Sequence, residues 1–506
     1  MVMYNNLGAA LPGNIDADRI SIVDLSGPVR RDVSYSTFDA LAEAYARGLK
    51  GNGFGSGSRI AVVASNSTTY LAIVYGALRA GITVVPVNYK LPAQLVAFIL
   101  ADAAVELVFC DAARRHLVPD TIRHIDIGDE DALSVFRDFG AFEAVAPLEG
   151  DMAMVIYTSG SSGVPKGVIF SHRAHLWALD HRTSLASPTA QRTVVAAPLY
   201  HQNGLASSQA TLGSGGTVIL LPTFEVEAFA RAIVEHSVEM ITAVPTMIAM
   251  LMRRADLLRE LDFSKVKLVR VSSAPSSPEL FADIARIFRN ARIVNGFGTT
   301  EGGPIFFGPH PDGIDTPQMS VGCAHPDVDL RLMRDGRPVE DEGVLEVKSR
   351  AVMMGYLNRP DLTAKAMTAD GFYSTGDIFR RDTNGFFFFV SRADDMFVCG
   401  GENVFPGDVE AILGRHPAIA EVSVIPLADE IKGHKPVAFV VAHANATVTE
   451  DEIKAFALAN GPACQHPRKV YFLPEMPLAG TNKIDRNALA RSLNIGSADA
   501  TLKVER

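Results

Sequence analysis

A chain of 506 residues, 48% apolar and 21% charged, has room for several buried cores and is too ordinary in composition to be disordered, collagenous or coiled-coil. Its formal charge of −10 argues against a binder of duplex nucleic acid, which needs a basic face, so an anionic ligand must be held locally by a few cations and backbone amides. The four cysteines, Cys110, Cys323, Cys399 and Cys464, lie far apart without CxxC or Cys/His spacing, which gives no zinc pattern and fits thiols in a reducing compartment.

The first residues, MVMYNNLGAALPGN, lack the basic start and apolar core of a signal peptide, so a cytoplasmic location is expected. From Arg59 a strand (RIAVVA), a helix (TTYLAIVYGALRAG), a strand (ITVVPV), a helix (AQLVAFILADAA) and a strand (ELVFCD) alternate. Short β-branched runs between helices signal a parallel sheet buried on both faces. The most apolar stretch, Tyr70 to Val87, is interrupted by Gly76, Arg79 and Gly81 and predicts packed helix and strand, not a membrane span. The same alternation returns over residues 216–301, ending in KLVRVSS, PELFADIARIF and RIVNGFG. The prediction is therefore a large α/β N-terminal domain of two doubly wound halves. Ligands in such sheets sit beyond the carboxyl ends of strands, which points to Ser272-Ser273-Ala274-Pro275 and to Gly296-Phe297-Gly298-Thr299-Thr300-Glu301. From about residue 320 turn-rich strands predict a small antiparallel β subdomain (320–391), and after Ser391-Arg392-Ala393-Asp394-Asp395 a mixed helix and strand pattern predicts a small α+β C-terminal domain.

Between the two α/β halves lies YTSGSSGVPKG, Tyr157 to Gly167. Glycines let backbone amides approach an anion, hydroxyls add donors and a lysine adds charge. The Walker pattern fails, because Pro165 stands where it needs glycine and Lys166 is followed by Gly167. Pro165 biases Val164 toward extended backbone and β-prone VIFSH follows, so the loop is predicted to link two strands. Taken alone, it is also consistent with an ordinary Ser/Gly hairpin loop.

Six motifs occur in order: YTSGSSGVPKG, Pro198-Leu199-Tyr200-His201, GFGTTE (296–301), Ser374-Thr375-Gly376-Asp377, SRADD (391–395) and AGTNKIDR (479–486). In them the chain resembles, over nearly its whole length, the adenylate-forming superfamily of acyl- and aryl-CoA synthetases, peptide-synthetase adenylation domains and luciferases. The resemblance implies a two-step ligase in which a carboxylate and MgATP give an acyl adenylate and pyrophosphate, and coenzyme A then takes the acyl group. It implies an adenylation domain over residues 1–391, a hinge at 392–395 and a mobile C-terminal domain over 396–506 that carries the catalytic lysine.

Joining a carboxylate to ATP brings two anions together, which demands cations and donors at the α-phosphate. By the resemblance, Thr158, Ser159, Gly160, Ser161, Ser162, Gly163 and Lys166 form a mobile loop around the β- and γ-phosphates, Thr300 donates to the α-phosphate and Glu301 holds Mg²⁺. Asn295, Gly296, Phe297, Gly298 and Thr299 are assigned to the nucleotide with them. Phe297 stands beside the adenine where the family usually has tyrosine, and Ser273, Ala274 and Pro275 line its other side. Asp377 accepts from the ribose hydroxyls, Arg392 adds a ribose or phosphate contact, and Lys483 bridges the substrate carboxylate and the α-phosphate in the first step only. His201 gates the acyl pocket, Asp394 is the hinge, and Gly400 and Gly401 flank the pantetheine path. Out of context each has a plainer reading: a helix cap for Thr300-Glu301, a turn aspartate, a solvated lysine, a buried structural histidine.

The acyl group is less constrained. Tyr200-His201 stands where amino-acid-activating relatives place an aspartate after an aromatic, and Ser276 to Ala282 contains no arginine for a second carboxylate. Val244, Met247, Ile248, Phe297, Gly302, Gly303, Pro304 and Ile305 are the expected pocket wall, with Gly302-Gly303 expected to open space, which suits an apolar aliphatic or aryl acid. A carrier-protein thiol in place of coenzyme A, and a nucleotide-binding relative without catalysis, are the alternatives. A homodimer is left open.

Overall fold

The first two strands of the chain join a sheet whose other strands come from far later in the sequence. In the computed structural model, Ile20–Asp24 pairs in parallel with Thr217–Leu220 and antiparallel with Arg31–Ser34, closing one edge of a distant sheet. The structure describes residues 5–159, 164–185, 191–274, 276–399, 402–429, 431–443, 446–479 and 483–495. Gly160, Ser161, Ser162, Gly163, Pro275, Gly400 and Gly401, assigned above to ligand contacts, lie outside the described residues.

Two seven-stranded sheets form the larger part of the chain. The first runs Gly355–Tyr356, Pro165–Ser171, Met152–Ser159, Thr83–Pro86, Arg59–Val63, Leu107–Cys110, Arg123–Asp126. The second runs Arg292–Gly296, Leu268–Ser272, Met240–Ala243, Arg192–Val195, Thr217–Leu220, Ile20–Asp24, Arg31–Ser34. Both are parallel through the middle, as the continuously apolar runs predict, and antiparallel at one edge. A single apolar cluster joins Ile60, Val62 and Val84 of one sheet to Ile22, Val218 and Leu220 of the other through the helices Tyr35–Gly51 and Thr68–Arg79. Ser67 starts the second of these helices by accepting from the Tyr70 amide at 3.1 Å. Tyr70 to Val87 is thus core, and no helix among the described residues is long and apolar enough to cross a membrane.

Beyond residue 320 an antiparallel sheet runs Arg337–Val339, Asp329–Arg334, Glu342–Lys348, Tyr373–Arg381, Phe387–Arg392. From Phe397 a separate sheet takes Ile419–Asp429 and Gly433–Ala442 as its long strands. Successive residues of these strands point to opposite faces, so Val424 and Val440 enter one small core while Ile425 and Val441 enter the other.

Candidate active site

Leu268–Ser272 and Arg292–Gly296 are neighbours in parallel register, with Ser272 opposite Gly296, so the two segments that follow leave the sheet side by side. Ser273 turns away with φ +73°, a left-handed conformation costing a non-glycine residue about 1 kcal/mol or more. Asn295 commits its side-chain donor to the Met319 carbonyl at 2.8 Å. Thr299 folds the next turn back on itself: its hydroxyl accepts from the Gly302 amide at 2.8 Å and its carbonyl from Gly303 at 3.0 Å. The helix-cap alternative for Thr300-Glu301 therefore falls, since among the described residues no helix begins between Gly296 and Pro360. The Phe297 ring meets Phe379 edge-on at 4.8 Å and Phe306 at 5.4 Å, so part of its surface is already packed.

The hairpin Met152–Ser159 and Pro165–Ser171 is antiparallel as predicted, and Thr158 lies directly opposite Lys166, which puts both side chains on one face. The Tyr157 hydroxyl anchors the hairpin to Asp102 at 2.6 Å. The Lys166 ammonium lies 4.8 Å from the ring centre of Tyr356, whose hydroxyl donates to Glu301 Oε1 at 2.9 Å. One tyrosine thus spaces the loop lysine from the Thr-Thr-Glu turn. It escaped the sequence reading because nothing in MMGYLN marks it; its role comes from Gly355–Tyr356 pairing with Val168 and Ile169 of the hairpin. With one carboxylate oxygen held by Tyr356, Glu301 keeps a second, hard oxygen donor, which fits a Mg²⁺ shared with substrate phosphates.

Asp377 and Arg392 are cross-strand partners, 3.5 Å apart as an ion pair, and Arg392 also grips Asp394 with contacts of 2.8 and 3.2 Å. Asp377 is buried, and burial raises its carboxyl to about 6 although Arg392 pulls the other way. Lys483 reaches this pair from the segment just before the helix Arg486–Ile495. Burial lowers its ammonium below the usual lysine value, with Asp377 opposing and Arg392 reinforcing the shift. It also faces His201, whose imidazole is held neutral, pushed down to about 3 by burial and then by the charges of Lys483 and Lys90. His201 sits at the N-cap of the helix Gln202–Gly213, its ring edge-on to Tyr200 at 4.6 Å and its Nε2 buried without a hydrogen-bond partner. The structure therefore brings Asp377, Arg392, Lys483 and His201 together, across segments far apart in sequence. The turn aspartate reading fails because Asp377 is buried, and the solvated lysine reading because Lys483 is half-buried and within reach of the charges of Asp377 and Arg392.

The acyl wall needs correction. Gly302 and Gly303 do not open space: a Cβ on Gly302 would stand 2.4 Å from the Phe306 ring, and one on Gly303 (φ +89°) 2.7 Å from Ala351 Cβ, so both permit close packing. Val244, Met247 and Ile248 are buried in the core of the second sheet. Of the expected wall, Pro304 alone lines the small, partly open cavity beside the Thr-Thr-Glu turn. The rest of that cavity comes from Phe170, from Ala174, His175, Ala178 and Leu179 of the helix His172–Leu185, from Gln202, Ala206 and Gln209, and from Ala351.

The family model for AMP-binding enzymes matches residues 14–357, and that for the AMP-binding enzyme C-terminal domain matches residues 408–483. The chain is 30% identical over 472 residues to the long-chain-fatty-acid–CoA ligase FadD13 of Mycobacterium tuberculosis, covering 90% of this chain and 92% of that one. It is 31% identical over 475 residues to the sulfoacetate–CoA ligase of Cupriavidus necator, covering 89% and 91%. The structure superposes with a TM-score of 0.80, at 25% identity and over 96% of this chain and 99% of the other, on the o-succinylbenzoate coenzyme A synthetase MenE of Bacillus subtilis bound to ATP and magnesium.

Proposed function

The chain belongs to the AMP-binding enzyme family, and on that footing we propose that it is an ATP-dependent carboxylic acid:CoA ligase forming an acyl adenylate and then a thioester. The observation that carries the proposal is the half-buried Lys483 set against Asp377, Arg392 and His201: a cation delivered from a separate unit to a point between ribose and acyl sites. Asp377 receives the ribose hydroxyls, and Arg392 holds Asp377 while adding charge toward the phosphates. Thr158 and Lys166 take the β- and γ-phosphates, and Thr300 the α-phosphate. Magnesium on Glu301 supplies charge neutralisation at the phosphates.

A substrate carboxylate oxygen attacks the α-phosphorus and pyrophosphate leaves; Lys483 bridges the two anions and lowers their repulsion. In the second step the coenzyme A thiol, giving up its proton, attacks the acyl carbon and AMP leaves. Lys483 then has no role, and we assign residues 1–391 to an adenylation domain, 392–395 to a hinge and 396–506 to a domain that rotates to withdraw it. The Arg253–Glu421 ion pair joins the two units in the present pose. The need for ATP and coenzyme A, with four unpaired cysteines, supports a cytoplasmic location.

The test is a carboxylic-acid panel with ATP, scored by pyrophosphate exchange and by AMP release with and without coenzyme A. Acid-dependent exchange with coenzyme A-stimulated AMP release is the expected result. Exchange without stimulation would point to another thiol acceptor, and no exchange with any acid would overturn the ligase reading.

A further inference from the structure

FadD13 and the sulfoacetate ligase, matched at nearly equal identity, are named for acids of opposite polarity, so the acid must be read from this chain's own cavity. Along the helix Gln202–Gly213 the residues Gln202, Ala206 and Gln209 fall at i, i+4 and i+7, one stripe, and that stripe faces Phe170, His175 and Pro304 across the cavity. Gln209 is 3% exposed, and its Nε2 has no hydrogen-bond partner. Buried amide donors are almost always satisfied, so one left unpaired in the lining of a cavity is completed by a water or by a group of the ligand that displaces it.

The position of Gln209 says where that partner lies. His201, beside Lys483 where the carboxylate reacts, caps the same helix eight residues earlier, and eight residues span about 12 Å of helix. Gln209 therefore meets the far end of the acyl group. The charge of the lining says what kind of group it is. Among the described residues the cavity is lined by no lysine, arginine, aspartate or glutamate. His175, buried and edge-on to Phe170 at 4.8 Å, is held neutral, its imidazole pushed down to about 3 by burial and by His172. A second carboxylate or a sulfonate would be buried there without a countercharge, whereas a neutral oxygen would not.

We propose that the acid activated here carries, at the end remote from its carboxylate, a neutral oxygen acceptor (hydroxyl, ether or carbonyl) that Gln209 Nε2 hydrogen-bonds, and that Gln209 is a specificity-determining residue. This rests on the reading of the chain as an acid-activating ligase. A purely hydrocarbon acid of the same shape leaves the buried donor unpaired and is disfavoured by a factor on the order of ten to a hundred.

The experiment compares shape-matched acids in the full-length protein by pyrophosphate exchange: 4-methoxy- against 4-ethyl-phenylpropanoate, and 5-oxohexanoate against 5-methylhexanoate. The wild-type ratio of kcat/KM favours the oxygenated member of the better pair at least about tenfold, and the ratio falls toward one in Gln209→Met, which keeps the length and loses the donor. Should that variant misfold, binding of the matched acyl-sulfamoyl adenosines to wild type by calorimetry reads the same preference. Equal kcat/KM within both pairs in wild type, or a ratio unchanged in Gln209→Met, overturns the proposal while leaving the ligase reading intact. Activation of no acid overturns the ligase reading and this proposal with it.

Discussion

On the function proposed, the nucleotide end and the acyl end of the site are built by different means. At the nucleotide end, Ser273, Thr299 to Glu301, Asp377 and Arg392 sit where strands end or pair, their positions set by sheet register. At the acyl end, the lining comes from helix faces, Ala174, His175 and Ala178 opposite Gln202, Ala206 and Gln209, with Pro304 and Ala351 from the turns between them. ATP presents the same groups to every enzyme that uses it, so short fixed motifs suffice; the acid varies, and its recognition is left to side chains at helical spacing. Changes at the nucleotide end should therefore weaken all acids alike, and changes at the acyl end should alter only their ratios.

The largest effect tests that division at its meeting point. Lys483→Ala should lower adenylate formation by roughly 10² to 10³, equally across acids, because a preorganised charge at the reacting phosphate is lost. Thioester formation from a supplied acyl adenylate should persist; equal loss of both steps would contradict a role confined to adenylation.

A smaller effect comes from Asp377, with its carboxyl at about 6. In the role proposed for it, the anion accepts from the ribose hydroxyls, and the acid would do so poorly. Lowering the pH from 7 to 5 takes the group from about 90% to about 10% ionised, and KM for ATP should rise up to roughly tenfold with every acid. Asp377→Asn should flatten that profile; an unchanged profile would remove Asp377 from nucleotide binding. The same raised value means the folded chain holds this proton more tightly than the unfolded one. The group's contribution to stability is then full below 3.8 and lost as pH rises through 6.

The smallest effect concerns the joint between the units. Asp394→Pro fixes φ next to the Arg392 clasp and should slow mainly the coenzyme A step, read by single-turnover thioester formation. Asp394→Asn, which weakens the clasp without fixing φ, should not reproduce it. An unchanged second step in the proline variant would move the hinge elsewhere.

Much of the fold was legible in sequence. The strands Arg59–Val63, Thr83–Pro86 and Leu107–Cys110 and the helices between them read directly from apolar runs and their spacing. The order of the sheets was not legible. Ile20–Asp24 is buried at four of its five residues, yet its partner, Thr217–Leu220, lies nearly two hundred residues later, and no local pattern encodes such a pairing. The acyl wall was misread for a related reason. Val244, Met247 and Ile248 are apolar because they fill the second sheet's core, and apolarity alone cannot separate a core face from a pocket face.

The sequence by itself determined the family and the kind of chemistry, through contiguous signatures. Hydroxyls and a lysine in YTSGSSGVPKG, a carboxylate after Thr-Thr, an aspartate in a glycine turn and a late lysine are residue types that suit the tasks proposed for them. Only the tertiary structure decided how these groups meet. It spaces Lys166 from Glu301 by Tyr356, brings Lys483 up to Asp377, and leaves Gln209 unpaired in a cavity. Each of these is a contact between distant segments, set by which faces the sheets and helices bury against one another and by no stretch of chain alone.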